Sequence, residues 1–354
     1  WGPPNIASLM QPLRMHPDRL FPADPGQRAI ARRLYDAVKA LPIVSPHGHP
    51  DPQWFADDEP FSDPASLLIQ PDHYVFRMLY SQGVKLEDLG IPARDGSTVE
   101  RDPRKIWRCF AEHYHLFRGT PSRLWLDFVF ADVFGMEVRL EAGSADLYYD
   151  RIDMLLRDPA CRPRALFERF HIEVIATTEG PLDDLRHHRK IRDSGWTGRV
   201  VTAYRPDAVS DPETAGFLDN LKAFGEIADE DVGTWRGYLR AHEKRRAAFR
   251  DMGATSTDHG HLRATTADLS MVDCEALYAR VRAGEASPAE ADLFRAQVLT
   301  EMARMSIDDG MVMQLHPGVY RSHNPSLLAR FGANMGADLP LPGEFVHGLK
   351  PLLD

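Results

Sequence analysis

The chain has 354 residues, of which 43% are hydrophobic and 27% charged, and its formal net charge is −10 at pH 7. This length and composition allow a large buried core and exclude a disordered protein, while the negative charge argues against nucleic acid or an anionic membrane as the main partner. The three cysteines form neither a disulfide framework nor a zinc-ribbon pattern, which fits a reducing cytoplasm. No apolar stretch reaches the length of a membrane span, so we expect a soluble, cytoplasmic protein.

The predicted elements alternate between helices and short buried strands. A helix over 29–41 precedes a strand over 43–45, and amphipathic stretches between 54 and 169 predict a helical insertion. Four more strand candidates follow, at 172–178, 199–204, 254–258 and 311–316. Strands that alternate with helices in this way predict a parallel sheet with right-handed crossovers. The densest basic stretch, 236–250, has a helical period and predicts a solvent-exposed helix face.

The first strand leads into His47-Gly48-His49. In an extended chain residues i and i+2 point the same way, so both imidazoles would face one point in space, as two ligands of one divalent metal must. Two surface histidines in a turn rich in proline and glycine are the alternative interpretation.

Polar residues recur at the carboxyl ends of the later strand candidates. They are Thr177, Thr178 and Glu179, then Arg205, Asp258 and His259, and His316, with Arg321 five residues beyond. A (β/α) barrel builds its active site from these ends, so one fold would bring them all to one mouth. Taken singly, Arg205 could make a local ion pair in a turn, Asp258 could cap a helix and His316 could be a core histidine.

The chain resembles the uronate isomerases (glucuronate isomerase), a branch of the amidohydrolase superfamily. The motifs that carry the resemblance are PHGH at 46–49, ADD at 56–58, DHY at 72–74, GTPSRLWL at 119–126, YRPD at 204–207, TDHG at 257–260 and MQLHPGVYRSHN at 313–324. The resemblance implies an α/β fold, a (β/α)8 TIM-type barrel formed by residues 1–354 as one metal-dependent domain, with 54–169 as a helical insertion after the first strand.

The resemblance also implies the roles of eight residues. These are catalytic roles for His73, Tyr74, Asp258 and His316, substrate binding by Arg205 and Arg321, and metal binding by His47 and His49. The expected cofactor is one divalent metal ion, zinc, with no organic cofactor. The expected partner is a small uronate, with neither nucleic acid nor membrane.

The expected reaction interconverts D-glucuronate and D-fructuronate, and also D-galacturonate and D-tagaturonate, through an enediol. It needs a base near C2, a group that polarises the carbonyl oxygen, and a shuttle that moves a proton between the two oxygens. Tyr74 suits the shuttle. From the DHY motif alone, ordinary packing of an aromatic residue in a helix would be preferred, but the family resemblance overrides that preference. Arginine pairs its donors with a carboxylate, so Arg205 or Arg321 would hold the acid group at C6.

One departure from the family pattern concerns the strand count. A closed barrel takes eight strands, whereas five candidates precede Asp354. We therefore expect the chain to be C-terminally incomplete and to lack the last strands, whose Asp binds the metal and acts as base in the family. An open half-barrel would expose an apolar edge and favour a homo-oligomer. Two alternatives remain, a metal-dependent hydrolase on the same barrel and a non-catalytic remnant that binds sugar acids.

Overall fold

The structure is a computed structural model, and it describes residues 10–354. Its central feature is a five-stranded parallel sheet with the strands in sequence order. The strands are β1 Ile43–Ser45, β2 Ile172–Glu179, β3 Arg199–Tyr204, β4 Ser256–His259 and β5 Val312–Leu315. All five predicted strands are confirmed, with small shifts at their ends. A further pair, β6 Val319–Tyr320 and β7 Leu339–Pro340, was not predicted, because two residues are too few for a periodic pattern.

Sixteen α-helices lie within residues 10–354. In chain order they are α1 Pro25–Val38, α2 Pro52–Asp57, α3 Pro64–Leu68, α4 His73–Tyr80, α5 Pro103–His113, α6 Pro121–Phe128, α7 Ala145–Leu156, α8 Pro163–Arg169, α9 Arg186–Asp193, α10 Asp207–Ser210, α11 Phe217–Ala228, α12 Trp235–Asp251, α13 Met271–Ala283, α14 Pro288–Asp309, α15 Pro325–Phe331 and α16 Val346–Leu353. Short 3-10 helices lie at Leu86–Leu89, Tyr114–Phe117, Ala142–Ser144 and Pro159–Cys161, and a π-helix at Val129–Val133. None of the described helices is long and apolar enough to cross a membrane.

Many of these helices begin with the same local device. A side chain of Asp, Ser, Thr or Asn accepts a hydrogen bond from a backbone N–H of the first turn, and a proline follows it. The cap satisfies a donor that has no partner inside the helix, and proline fits the first position because its missing N–H would be unused there. The helix predicted over 29–41 therefore begins earlier, at Pro25 after the cap Asp24, and ends at Val38.

The chain divides into two compact units. The helical unit comprises Glu59–Leu166, Arg321–Leu339 and the described residues up to Leu41. Its core is a cluster of aromatic and aliphatic side chains that includes Trp107, Phe110, Tyr114, Phe130 and Tyr148. Since the edges of these rings meet the faces of their neighbours, the aromatic pairs add to the energy of burial.

The sheet unit comprises Pro42–Asp58, Phe167–Tyr320 and Pro340–Asp354. Its largest core cluster includes Tyr204, Phe224, Trp235, Tyr238 and Phe294. These residues come from β3 and from helices α11, α12 and α14, so the helices that connect the strands also cover the sheet.

The basic stretch on α12 differs from its prediction. Arg246 is only 1% exposed and donates to the Asp309 carboxylate at 2.7 and 2.9 Å and to Ser306 Oγ at 3.0 Å. Arg245 is also buried and donates to the backbone carbonyls of Pro181 and Asp183. The prediction of an exposed face is wrong for these two arginines, because this side of α12 packs against α14 and the loop after β2.

The sheet is curled. Strands β1 and β5 lie at its two edges, yet the side chain of Gln314 on β5 donates through Nε2 to the Pro46 carbonyl just after β1, at 2.9 Å. The rings of His47 and His316, which follow the same two strands, have centres 5.6 Å apart. The carboxyl ends of β1 and β5 therefore lie close together, and side chains from all five strands lie along the same edge of the sheet.

Candidate active site

The carboxyl ends of the strands carry the polar residues that the sequence singled out. His47 and His49 follow β1, Glu179 ends β2, Arg205 follows β3, Asp258 lies in β4 and His316 follows β5. Parallel strands place all these ends on the same edge of the sheet. Five of them, His47, His49, Arg205, Asp258 and His316, form what we call the sheet-edge cluster.

Asp258 is the centre of the sheet-edge cluster. Its side chain is fully buried, and its Oδ1 atom lies 2.5 Å from His316 Nε2 and 3.8 Å from His47 Nδ1. Its Oδ2 atom lies 3.3 Å from Arg205 Nη1. Burial alone would raise the pKa of Asp258, but His316, Arg205 and His47 outweigh it and hold the pKa below its ordinary value. The carboxylate is therefore ionised at neutral pH.

Arg205 shares its donors between two carboxylates. Besides Asp258, it contacts Asp207 through Nε at 2.8 Å, and Asp207 also accepts from the backbone N–H of Gly260 at 3.2 Å. A Cβ at position 260 would collide with Arg205 Nη2 and lie 2.6 Å from Asp207 Oδ2, so a larger residue there would displace the ends of both side chains. The alternative of a local ion pair in a turn is thus correct in part, because Arg205 makes that pair and also reaches the site.

His47 is held by Gln314, a residue that the sequence analysis did not single out. The Nδ1 atom of His47 lies 2.9 Å from Gln314 Oε1. The backbone beside it approaches β2 closely, because Thr178 Oγ1 donates to the Gly48 carbonyl at 2.9 Å and a Cβ on Gly48 would lie 3.0 Å from the Ala176 carbonyl oxygen. Both contacts fix the loop that carries the two histidines.

The two histidines after β1 lie side by side, with ring centres 5.0 Å apart and planes at 82°. Burial lowers the pKa of His49, and the nearby charges of His47 and Arg205 lower it further, so its ring is neutral and keeps a lone pair. Neutral imidazoles suit zinc, and the two oxygens of buried Asp258 accept no hydrogen bond of regular geometry from the described residues. Among residues 10–354, however, no group of three or more His, Cys, Asp or Glu is arranged to hold a metal ion.

The other three candidates, His73, Tyr74 and Arg321, belong to the helical unit and are called the helical-unit residues below. His73 and Tyr74 begin α4, where the Asp72 carboxylate accepts from the Tyr74 backbone N–H at 2.8 Å. Their rings lie 4.4 Å apart, and Tyr74 is 54% exposed. Burial lowers the pKa of His73, although Asp72 and Asp338 oppose the change.

Arg321 makes one loose ion pair among the described residues, with Asp338 at 3.8 Å. Asp338 is itself engaged, since it accepts from the Ser322 backbone N–H at 2.8 Å. The Arg321 side chain is 45% exposed. It therefore keeps donors available for a ligand, whereas Arg205 is committed to two carboxylates.

A second buried carboxyl group lies at the end of β2. Glu179 accepts from Thr177 Oγ1 at 2.8 Å and from the Thr202 hydroxyl, and Thr177 Oγ1 also lies 2.9 Å from His188 Nε2. Burial raises the pKa of Glu179 to about 7, and the two threonines oppose the change. Burial likewise lowers the pKa of His188 to about 4. His188 Nε2 lies 3.7 Å from Glu179 Oε2, but its ring is neutral at pH 7, and no Lys or Arg of residues 10–354 pairs with Glu179, which distinguishes it from Asp258.

Sequence reasoning missed Gln314 and the network around Glu179. Gln314 lies in β5, two residues before His316, and alternation along an extended chain puts both side chains on the same face, so this spacing could have identified it. Thr177 has the same spacing to Glu179 in β2, but Thr202 and His188 could not have been found in this way, because they come from β3 and α9.

Comparison with known proteins gives consistent matches. The family model described as glucuronate isomerase matches residues 26–354. The uronate isomerase of Phenylobacterium zucineum is 61% identical over 346 residues, which cover 98% of this chain and 72% of that protein. The uronate isomerase of Xanthomonas campestris (strain B100) is 63% identical over 343 residues, covering 97% of this chain and 73% of that protein.

Solved structures agree with these matches. The crystal structure of glucuronate isomerase from Caulobacter crescentus superposes with a TM-score of 0.94 at 56% identity, over 97% of this chain and 71% of that chain. The uronate isomerase of Thermotoga maritima superposes with a TM-score of 0.86 at 24% identity, over 95% of this chain and 72% of that chain, and shows the shared fold.

Proposed function

The chain belongs to the glucuronate isomerase family, and we propose that it interconverts D-glucuronate and D-fructuronate, and also D-galacturonate and D-tagaturonate, through an enediol. Its activity is that of a uronate isomerase, an aldose-ketose isomerase. The prediction from the motifs is thus confirmed, and the hydrolase and the non-catalytic remnant are set aside. The observation that carries the mechanism is the buried Asp258 carboxylate between His316 and Arg205.

For the fold, the proposal is a (β/α)8 barrel of the amidohydrolase kind with residues 54–169 inserted after β1, forming one metal-dependent domain. Five consecutive parallel strands, a curled sheet and a site at the carboxyl ends all support it.

Among the described residues, proton transfer at C2 is assigned to Asp258 and His316 acting together, in place of the Asp that the family pattern puts on a later strand. Because the Asp258 carboxylate is ionised, it does not donate a proton itself. Its Oδ1 atom lies 2.5 Å from His316 Nε2, so it orients the imidazole and stabilises the positive charge that the ring gains when it takes a proton. The imidazole then returns that proton to the neighbouring carbon of the enediol.

Recognition of the substrate carboxylate is assigned to Arg321 first and Arg205 second. Arg321 has the weaker internal pairing, at 3.8 Å to Asp338. It would therefore give up little interaction with Asp338 when it forms a bidentate contact with the acid group at C6. Arg205 would contribute from the sheet edge, where its main task is to hold Asp258.

Movement of a proton between the two substrate oxygens is assigned to Tyr74, with His73 as its neighbour. The Tyr74 ring is exposed, and Arg77 lies 4.9 Å from the centre of the ring. His73, neutral at pH 7 because burial lowers its pKa, can donate or accept a hydrogen bond beside the hydroxyl.

His47 and His49 would hold one divalent metal ion, zinc, and no organic cofactor is proposed. The bound ion would supply a Lewis acid for the carbonyl oxygen. We expect His47→Ala and His49→Ala to lower the zinc content of the purified chain, as measured by elemental analysis, whereas His187→Ala on α9 should retain it. Equal zinc content in all three variants would refute the assignment.

Isotope exchange tests the reaction. The chain is incubated with D-glucuronate in deuterated water, and the product is analysed by NMR. D-Fructuronate that carries deuterium at C1, beside its ketone, is the expected result, because the proton passes through a base that exchanges with solvent. Hydrolysis of amides or esters without any keto acid would overturn the proposal.

A further inference from the structure

We propose that Gln314 is a positioning residue that fixes His47 in the tautomer protonated on Nδ1 and so presents the lone pair of Nε2 to the site. This inference deepens the proposed function and rests on it. It concerns one hydrogen-bonded chain of three groups, which runs from the Pro46 carbonyl through the Gln314 amide to the His47 ring.

The orientation of the Gln314 amide follows from its first partner. The Pro46 carbonyl oxygen can only accept a hydrogen bond, and it lies 2.9 Å from one end of the amide. That end must be the NH2 group, since the opposite orientation would place two acceptor oxygens against each other. The amide oxygen of Gln314 therefore points at His47.

The tautomer of His47 follows from the second partner. Gln314 Oε1 lies 2.9 Å from His47 Nδ1 and can only accept. The Nδ1 atom must therefore carry the proton and donate it, and a neutral ring then has its lone pair on Nε2.

A second acceptor lies on the same side of the ring. The Asp258 Oδ1 atom is 3.8 Å from His47 Nδ1, so its negative charge also favours a proton at that nitrogen. Both groups come from adjacent strands, because Gln314 and Asp258 are directly opposite each other in the β4–β5 register. The pairing of β4 with β5 thus fixes the tautomer of the His47 ring, which follows β1.

The same contact holds the ring in place. Without the amide, the ring could rotate about its side-chain torsions and exchange its two tautomers, and its Nε2 lone pair would no longer be oriented. For histidines that bind metals, loss of such an orienting partner typically lowers metal affinity by about 10- to 100-fold.

The experiment compares two substitutions at position 314. Gln314→Met keeps a similar length and removes both the donor and the acceptor. Gln314→Glu keeps an acceptor for His47 Nδ1–H, loses the donor to Pro46 and adds a negative charge. Gln53→Met, a glutamine on α2 that donates to Asp57, is the matched control for the change itself. The readouts are the 15N chemical shifts of the His47 ring in the metal-free chain and the dissociation constant for zinc.

We expect His47 of the unaltered chain, the Gln53→Met control and Gln314→Glu to be protonated on Nδ1. Gln314→Met should shift His47 towards the Nε2-protonated form and weaken zinc binding by about 10- to 100-fold. A His47 protonated on Nε2 in the unaltered chain would overturn the proposal even if Gln314→Met failed to fold. The same holds for an unchanged tautomer in a folded Gln314→Met variant. Since the spectra are recorded without substrate, they decide the tautomer independently of the isomerase activity.

Discussion

The sheet-edge cluster and the helical-unit residues hold their charges in opposite ways. At the sheet edge, the buried Asp258 carboxylate contacts Arg205 and His316, and every charge has a partner within the protein. In the helical unit, Tyr74 is exposed and Arg321 has one ion pair at 3.8 Å. Charged groups that are paired with each other keep their interactions when a substrate leaves. Loosely paired groups gain the most interaction energy when it binds.

The difference separates positioning from recognition. Groups that are paired around a buried carboxylate keep a fixed geometry, which proton transfer requires, because reacting atoms must be held within a fraction of an ångström. Exposed groups can form new contacts with a ligand. We therefore expect substitutions at the sheet edge to lower the rate constant kcat, and substitutions in the helical unit to act mainly on substrate binding.

The largest expected effect on turnover is that of Asp258→Asn. The amide cannot stabilise a positive charge on His316, so kcat should fall by about 100- to 10,000-fold, the usual contribution of general acid-base catalysis. The measurement is kcat at saturating uronate. Were the loss confined to KM, the assignment of Asp258 to positioning would fail.

The matched control is Asp309→Asn, which also removes a carboxylate from an arginine, the buried Arg246. Here we expect a loss of about 3–5 kcal/mol in the free energy of unfolding, because a buried guanidinium loses its partner. Turnover per folded molecule should remain as in the unaltered chain. Denaturant unfolding and activity assays together distinguish the two substitutions.

The next effect in size is that of Arg321→Met. Loss of a charged hydrogen bond of about 1.5–3 kcal/mol should weaken uronate turnover, through KM, by roughly 10- to 100-fold. Aldoses without the acid group should be affected much less. The control is Arg157→Met, which removes an exposed arginine paired with Asp153 on α7. Equal losses for charged and uncharged substrates would mean that Arg321 supports its loop and does not bind the carboxylate.

The smallest effect on turnover, and a clear one on stability, is expected for Glu179→Gln. The folded carboxyl keeps its proton up to about pH 7, whereas the unfolded one loses it near 4.5, so its contribution to stability is full below pH 4.5 and is lost as the pH rises to 7. The glutamine variant should therefore gain about 3 kcal/mol relative to the parent chain across this window.

His188 makes the comparison between variants necessary. Its pKa of about 4 lies below the ordinary 6.5, so its neutral ring adds stability as the pH rises from 4 to 6.5, and this opposes Glu179. The difference in free energy of unfolding between the two chains cancels this contribution. A difference that stays constant between pH 4.5 and 7 would show that Glu179 is ionised in the folded state.

The sequence was informative where local pattern decides the outcome. Short apolar runs predicted all five strands of the sheet, and the residues just after them, such as His47, Arg205 and His316, lie together at its edge as expected. This prediction succeeds because the carboxyl ends of parallel strands all lie at the same edge of the sheet.

The rest depends on partners that are distant in the chain. Nothing near Arg246 indicates that Asp309 will meet it, so a basic stretch with helical period was interpreted as exposed. Likewise, Asp258 and Glu179 are both buried carboxyl groups at strand ends, but His316, Arg205 and His47 lower the pKa of Asp258, whereas burial dominates and raises that of Glu179. The residues near Asp258 and Glu179 in the chain do not indicate which side chains will lie beside each carboxyl group.

The contact between Gln314 and Pro46 also bears on how the protein folds. It joins residues 268 positions apart, and closing a flexible loop of that length costs about 5 kcal/mol of chain entropy. The contact can therefore form only after the intervening strands have paired and repaid that entropy. The histidines after β1 acquire their final geometry as one of the last events of folding, so in stopped-flow refolding the helical signal should recover before the NMR signature of the His47 ring.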